Sequence, residues 1–345
     1  MRYRTFGRSG LRVSQAFLGA MTFGEHERGF GAPADECRKM FSAYAEAGGN
    51  VIDTASNYTG GNSERIVGEL LGPDRDRFVL ATKYTVTNDG SDPNASGNHR
   101  KSLRRSLEQS LQRLRTDRID LLWVHIWDPE TPVEETMRAL DDAVRAGKVL
   151  YVGISDTPAW VVSRANVLAE WHGWSPFIGL QVPYSLAQRD IERELLPMAA
   201  GLGLSVAAWS PLAGGLLSGK FTRSASVGQA RVNPDRLSER DLRIARELDA
   251  VADGLGVTSS QAALAWVMAR GSFVHPIVGA RRLDQLTGNL AALQVTLPDE
   301  AVARLDEVSA IPVGFPYDFI ESLRGFVYGE AATQTDWQGW RSGRG

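Results

Sequence analysis

Short apolar runs alternate with longer amphipathic stretches along almost the whole chain. The runs lie near residues 16–20, 50–54, 78–83, 119–125, 149–155, 178–182, 204–209 and 276–279. Each has the length of a strand buried on both faces, which reads as a continuous apolar segment. Helix-period segments fall between them, near 34–48, 63–71, 99–115, 133–146, 158–171, 190–201, 239–255 with 259–270, and 283–293. In the stretch 99–115, Leu103, Leu107, Leu111 and Leu114 recur at helical spacing, with Arg100, Lys101, Arg104, Arg105, Arg113 and Arg115 on the other face. Alone, that basic face would suit an RNA-binding helix; a solvated outer helix fits the acidic whole better.

Eight strand–helix repeats predict an α/β fold, a closed (β/α)8 TIM barrel. Tyr3–Phe6 and Leu11–Val13, around Gly7-Arg8-Ser9-Gly10, predict an N-terminal β-hairpin that caps the barrel floor. Three stretches, about 84–98, about 211–238 and the tail from about 309, exceed an ordinary connection. Such long loops are expected to be lids or binding loops, here on the C-terminal face. No linker divides the chain, so residues 1–345 are expected to form a single barrel domain.

Bulk composition narrows the function classes without choosing one. With 345 residues and 43% hydrophobic content the chain can bury a substantial core. A net charge of −3 offers no global positive field for nucleic acid or an anionic membrane. The single cysteine, Cys37, excludes an intrachain disulfide and a Cys-based zinc site. No signal-peptide core stands at the start and no stretch approaches a membrane span, so the expectation is a soluble cytoplasmic protein. The oligomeric state is left open.

Candidate chemistry sits where the apolar runs stop. Asp53, Lys83 and His125 end three successive runs, and Tyr58 lies just beyond the first. In a barrel of parallel strands these ends converge on one face, where barrel active sites lie. A phenol is a poor acid at neutral pH unless a nearby cation favours its anion; Lys83 can be that cation and Asp53 can hold the ammonium. A neutral His125 can donate a hydrogen bond to a substrate oxygen. The set describes an acid aimed at a carbonyl oxygen, and such catalysis contributes typically ~10²–10⁴-fold. Taken singly, an Asp after a strand is usually a cap, a Lys usually solvated and a Tyr usually packed. Four together favour a site.

Two motifs are decoys. Gly214-Gly215-Leu216-Leu217-Ser218-Gly219-Lys220 fits a phosphate loop, but Phe221 stands where the Mg²⁺-binding Ser or Thr belongs. No Gly-x-Gly-x-x-Gly follows an early strand, which removes the main support for a Rossmann dehydrogenase. His26, His99, His172 and His275 lack metal-ligand spacing, so packing or surface roles and no metal are expected.

An ordered series of fragments carries a family resemblance. It runs from Asn50-Val51-Ile52-Asp53-Thr54-Ala55-Ser56-Asn57-Tyr58 through Asn62-Ser63-Glu64, Ala81-Thr82-Lys83, Arg100-Lys101-Ser102-Leu103 and Thr116-Asp117-Arg118-Ile119-Asp120-Leu121 to His125. It continues with Gly153-Ile154-Ser155, Gln181-Val182-Pro183-Tyr184-Ser185, Trp209-Ser210-Pro211-Leu212, the 214–220 segment and Pro276-Ile277-Val278-Gly279-Ala280-Arg281. The chain resembles the aldo-keto reductases, NAD(P)H-dependent oxidoreductases built on a (β/α)8 barrel. It looks more like bacterial, general or sugar-ketone-reducing members than like mammalian aldose reductases.

The resemblance implies roles at matching positions. Tyr58 would donate the proton, Lys83 and Asp53 would tune it, and His125 would orient the carbonyl. Ser155, Asp156 and Gln181 would meet the nicotinamide carboxamide, and Trp209 would stack on the ring. Ser210, Leu212, Gly214 and Lys220 would line the pyrophosphate. Gly279, Arg281, Gln285 and Asn289 would take the adenosine end, with Arg281 favouring NADP(H) while leaving NAD(H) possible. Two positions depart from the family pattern: Asp156 replaces a usual Asn, and Gly288 replaces a common Glu.

A small-molecule carbonyl compound is the implied substrate, reduced to an alcohol. Met21, Phe23, Tyr84 and Trp127 are expected to line its pocket, with the tail around Phe315, Tyr317 and Phe319 closing over it. Two other readings stay open at this point. One is a cofactor-binding regulatory subunit similar to potassium-channel β-subunits, and the other a Schiff-base aldolase using Lys83.

Overall fold

The computed structural model describes residues 1–25, 29, 31–87, 89–223 and 232–334; His26 lies outside them. Strands β1 (Tyr3–Thr5) and β2 (Arg12–Ser14) pair antiparallel as the expected hairpin. The next eight strands are β3 (Phe17–Gly19), β4 (Val51–Asp53), β5 (Val79–Tyr84), β6 (Ile119–Val124), β7 (Val149–Ser155), β8 (Phe177–Pro183), β9 (Ser205–Trp209) and β10 (Val274–Val278). All pair in parallel with their sequence neighbours, and β10 returns to β3, so the sheet closes into a barrel. The predicted (β/α)8 fold and its cap are therefore the observed ones.

Side chains fill the barrel rather than leaving a pore. Phe17, Val51, Ala81, Leu121, Trp123 and Ala207 pack inside, and Phe6 of the hairpin seals the floor. The Phe6 ring lies 5.8 Å from Phe17 and edge-on to Trp123 at 6.3 Å. Room for Trp123 comes from two glycines: a Cβ at Gly153 would stand 2.4 Å from the indole, and one at Gly179 would stand 3.0 Å from it. Gly7 has φ +57, and a Cβ there would meet the Ile178 carbonyl oxygen at 2.0 Å. Only glycine lets the hairpin press this closely against β8.

The outer layer follows the predicted amphipathic stretches. It comprises α1 (Ala34–Glu46), α2 (Asn62–Leu71), α3 (Arg100–Leu114), α4 (Val133–Arg145), α5 (Ala159–His172), α6 (Leu195–Leu202), the short α7 (Lys220–Arg223), α8 (Glu239–Leu255), α9 (Ser259–Met268) and α10 (Leu283–Leu290). The basic face of α3 is tied into this layer, Arg113 pairing with Glu64 at 2.6 Å, Arg115 with Glu69 at 2.8 Å, and Arg100 with Asp142. The stretch predicted as one helix over 190–201 breaks. A 3₁₀ turn at Asp190–Glu192 precedes α6, because the buried Arg189 grips Glu192 at 2.8 and 2.9 Å. Strand β10 begins two residues earlier than its apolar run, which His275 had disguised. Helix α11 (Asp299–Val308) was not foreseen; Asp306 anchors it by accepting from Trp266 at 2.9 Å and Arg270 at 3.0 Å.

No helix among the described residues is long and apolar enough to cross a membrane. His99 caps α3 and His172 stacks on Trp174, consistent with the packing and surface roles expected of them. His275 is wholly buried against Phe6 and Phe17. Burial, and then the charge of Arg4, pull its pKa from 6.5 down to about 3. The fold therefore holds this imidazole neutral, while the unfolded chain protonates it below about 6.5. The stability it contributes is present above that pH and is lost as pH falls toward 3. The loss at pH 5 should be roughly 2 kcal/mol. His275→Gln should show a smaller drop in urea-unfolding free energy between pH 7 and 5 than the parent. An identical drop in both proteins would rule out this source.

Candidate active site

The C-terminal ends of three neighbouring strands bring the reactive side chains together. Asp53 closes β4, Lys83 stands one residue before the end of β5, and His125 follows β6. Inside this apolar wall the Lys83 ammonium donates to Asp53 Oδ2 at 2.6 Å and to the Thr54 carbonyl at 2.8 Å. Both side chains are almost wholly buried, 0% and 3% exposed. Burial pulls the lysine pKa down, yet Asp53 and Tyr58 together outweigh it and hold Lys83 above its usual value. The pair is an ion pair made to stay charged. Asp53 Oδ1 also accepts from Gln181 Nε2 at 2.9 Å, which links this pair across the barrel to β8.

Tyr58 is carried by a wound turn rather than by a strand. Thr59, Gly60 and Gly61 follow it with φ of 47, 64 and 88, all left-handed. Thr59 Oγ1 fastens the turn: it lies 2.8 Å from the Phe23 carbonyl and accepts from Ser63 N at 2.9 Å. The wholly buried Glu64 anchors the helix behind it, accepting from Thr82 of β5 at 2.6 Å and from Arg113 at 2.6 Å. The phenol ring consequently stands over Lys83, with Nζ 4.8 Å from the ring centroid, and edge-on to His125 at 5.9 Å. Sequence reasoning expected Lys83 to make Tyr58 a stronger acid. Lys83 does act in that direction, but burial outweighs it and the phenol pKa lies above its ordinary value. For His125, burial and then Lys83 lower the pKa to about 3, so the imidazole is neutral throughout the neutral range. Among the described residues its buried Nδ1 has no hydrogen-bond partner.

A cavity of about 1000 Å³ opens over these residues and extends across the barrel mouth. Asp53, Tyr58 and His125 line one end, with Ser155, Asp156, Gln181 and Trp209 beside them. Ser210, Leu212, Gly214, Lys220, Gly279, Arg281, Gln285 and Asn289 line it as well. Every residue proposed from the sequence to hold a cofactor thus lies on one continuous wall. Past β9 the backbone coils tightly, with positive φ at Ser210, Ala213, Gly214 and Gly215. A Cβ at Gly215 would meet Lys220 Nζ at 2.8 Å, so glycine lets the lysine fold over the loop. Burial and the nearby Arg281 both lower the Lys220 pKa. Two mutually repelling cations beside a glycine-rich loop are a donor set suited to phosphate. Trp209, at the other end, is aimed by its indole N–H, which donates to Asp156 Oδ1 at 3.1 Å.

The expected substrate residues separate. Met21 lines the cavity, 37% exposed. Phe23 and Tyr84 do not: both are buried in the outer core between barrel and helices. Trp127 packs edge-on to Trp160 at 6.2 Å and is absent from the wall. Phe315, Tyr317 and Phe319 also lie off the wall, with Phe315 84% exposed. Arg240 and Arg193 hold the carbonyls of Ser309 and Pro312 at the start of this tail. Instead Val86 and Ile126 complete an apolar rim with Met21. Strand alternation could have identified part of this, because Tyr84 follows the inward-facing Lys83 and must face outward.

Comparison with known proteins agrees with this architecture. A model of the aldo/keto reductase family matches residues 17–310. The chain is 39% identical to norsolorinic acid reductase of Aspergillus flavus, over 96% of this chain and 87% of that protein. It is 36% identical to a putative aryl-alcohol dehydrogenase of Saccharomyces cerevisiae, covering 90% and 87% of the two chains. An aryl-alcohol dehydrogenase of Pestalotiopsis microspora is also 36% identical, with 90% and 82% covered. The buried Asp53–Lys83 pair, the wall that joins it to Lys220 and Arg281, and these matches lead to one assignment: the chain belongs to the aldo/keto reductase family of oxidoreductases.

Proposed function

We propose that the protein is an NADP(H)-dependent carbonyl reductase for aromatic aldehydes or ketones, with Tyr58 as proton donor. The observation that carries this reading is the buried Lys83–Asp53 pair under the Tyr58 ring, in the same cavity as His125. When bound, the nicotinamide cofactor supplies the hydride. Ser155 and Gln181 would hold its carboxamide, Trp209 its ring, Lys220 its pyrophosphate and Arg281 its 2′-phosphate. Tyr58, protonated at neutral pH, delivers its hydroxyl proton to the substrate oxygen as charge develops there. The neutral His125 orients that oxygen through a ring N–H. Lys83 stabilises the phenolate that Tyr58 becomes, and Asp53 keeps Lys83 charged and in place.

Met21, Val86 and Ile126 form an apolar rim that excludes water and suits a flat, hydrophobic carbonyl compound. The relatives named for norsolorinic acid and aryl alcohols point to the same class. A Schiff-base aldolase needs a neutral lysine, which the Asp53 contact opposes. Cofactor oxidation, followed by its near-ultraviolet absorbance, tests the reading against a panel of aromatic aldehydes, aryl ketones and ketosugars, with NADPH and NADH in parallel. The aromatic compounds should turn over fastest, and with NADPH. Equal rates with ketosugars would refute the substrate class, and a preference for NADH would refute the role of Arg281.

A further inference from the structure

The two ends of the cavity carry opposite fixed charge. At the adenosine and phosphate end Lys220 and Arg281 approach each other. At the other end Asp53 is neutralised by Lys83 at 2.6 Å. Asp156, on the same wall, accepts from the uncharged Trp209 indole at 3.1 Å and from the Ser155 hydroxyl; the Lys83 charge favours its ionised form, but no cation lies within ion-pair distance of it among the described residues. It therefore adds a net negative charge where Ser155, Gln181 and Trp209 gather.

That charge is not needed to hold Trp209. An Asn side chain offers the same Oδ1 acceptor to the indole N–H. Nor does the backbone require it: Asp156 has φ +45, a conformation that Asn and Asp both adopt more readily than other residues. Burial pushes its carboxyl pKa above the usual carboxylate range, so keeping this group ionised opposes desolvation, a penalty an amide escapes. What the carboxylate adds over an amide at this position is the charge alone.

We propose that Asp156 sets the redox-state preference of the site, tightening the oxidised nicotinamide cofactor relative to the reduced one. This rests on the nicotinamide reading above. Passing a hydride to the carbonyl carbon removes two electrons and a proton from the dihydronicotinamide and leaves one positive charge on the ring. A carboxylate at this end attracts the ring in its oxidised state and hardly at all in its neutral, reduced state. In a partly buried site one such pairing amounts to about a tenfold difference in affinity. The same attraction draws the ring toward oxidation during carbonyl reduction and makes the oxidised product slower to leave.

The test is equilibrium titration of the full chain and its Asp156→Asn variant with NADP⁺, with NADPH, and with 2′,5′-ADP, which lacks the nicotinamide. NADP⁺ should bind the variant about tenfold more weakly and NADPH within about twofold of the parent, with 2′,5′-ADP unchanged. Parallel changes in NADP⁺ and NADPH would overturn the proposal while leaving the cofactor assignment intact. Failure of the parent to bind either dinucleotide would overturn both. Where the Asn variant fails to bind 2′,5′-ADP, Asp156→Ser replaces it and the same ratio decides.

Discussion

Tyr58→Phe should lower the turnover of carbonyl reduction by ~10²–10⁴-fold, the usual weight of a positioned general acid, and leave cofactor affinity almost unchanged. The substitution is narrow. Phenylalanine keeps the ring over Lys83 and edge-on to His125, contacts at 4.8 and 5.9 Å that do not involve the hydroxyl. It removes only the O–H, whose proton burial keeps in place at neutral pH. Single-turnover reduction with saturating cofactor, alongside cofactor titration, separates the two effects. Unchanged turnover would falsify the assignment of Tyr58, and lost cofactor binding would show that the turn through Thr59–Gly61 had collapsed. Because His125 is already neutral, its pKa being about 3, the parent should show no activity change from imidazole titration near 6.5. Its rate should fall only at alkaline pH, as the Tyr58 proton is lost.

Lys83→Met should destabilise the fold by about 3–5 kcal/mol, because it leaves the Asp53 carboxylate buried without its counter-ion. Asp53 is 3% exposed, and its remaining side-chain contact is the neutral Gln181 amide at 2.9 Å. Methionine nearly matches the lysine stem in volume, so lost packing should account for little of the effect. The double variant Asp53→Asn, Lys83→Met should regain much of the lost stability, since no uncompensated charge remains. It should not regain activity, because the cation beneath Tyr58 is gone. Urea unfolding of the parent, both single variants and the double variant closes the cycle. Additive losses would mean that the two side chains do not act as a pair.

The reactive cluster was legible in the sequence from its position, whereas most of the candidate cofactor residues were implied only by the family resemblance. Each element of a parallel barrel is a local repeat, and its reactive residues stand where the apolar run ends. Asp53, Lys83 and His125 are marked by polarity at the end of a hydrophobic segment. Lys220 and Arg281 are marked by a glycine-rich or strand-end context. The rim was less legible. Tyr84 and Trp127 are large and follow Lys83 and His125, but size carries no information about direction. Val86 and Ile126, small and unremarkable in the sequence, face the cavity instead. The tail failed for a related reason: its aromatic residues are apolar enough to cover a pocket, yet they lie off the cavity wall, and apolarity carries no information about where a chain segment runs.

Hydrophobic periodicity thus marked the eight strand–helix repeats of the barrel and the polar residues Asp53, Lys83 and His125 at strand ends, because burial on both faces of a strand is a local constraint. Only the tertiary structure decided how those residues act on one another. Burial and the Asp53 contact leave Lys83 charged, Tyr58 protonated and His125 neutral. Each of these states depends on charges and desolvation contributed by strands some 30 to 130 positions apart, as the Asp53–Lys83 and Asp53–Gln181 contacts span 30 and 128 residues. Those distances close only when the sheet does.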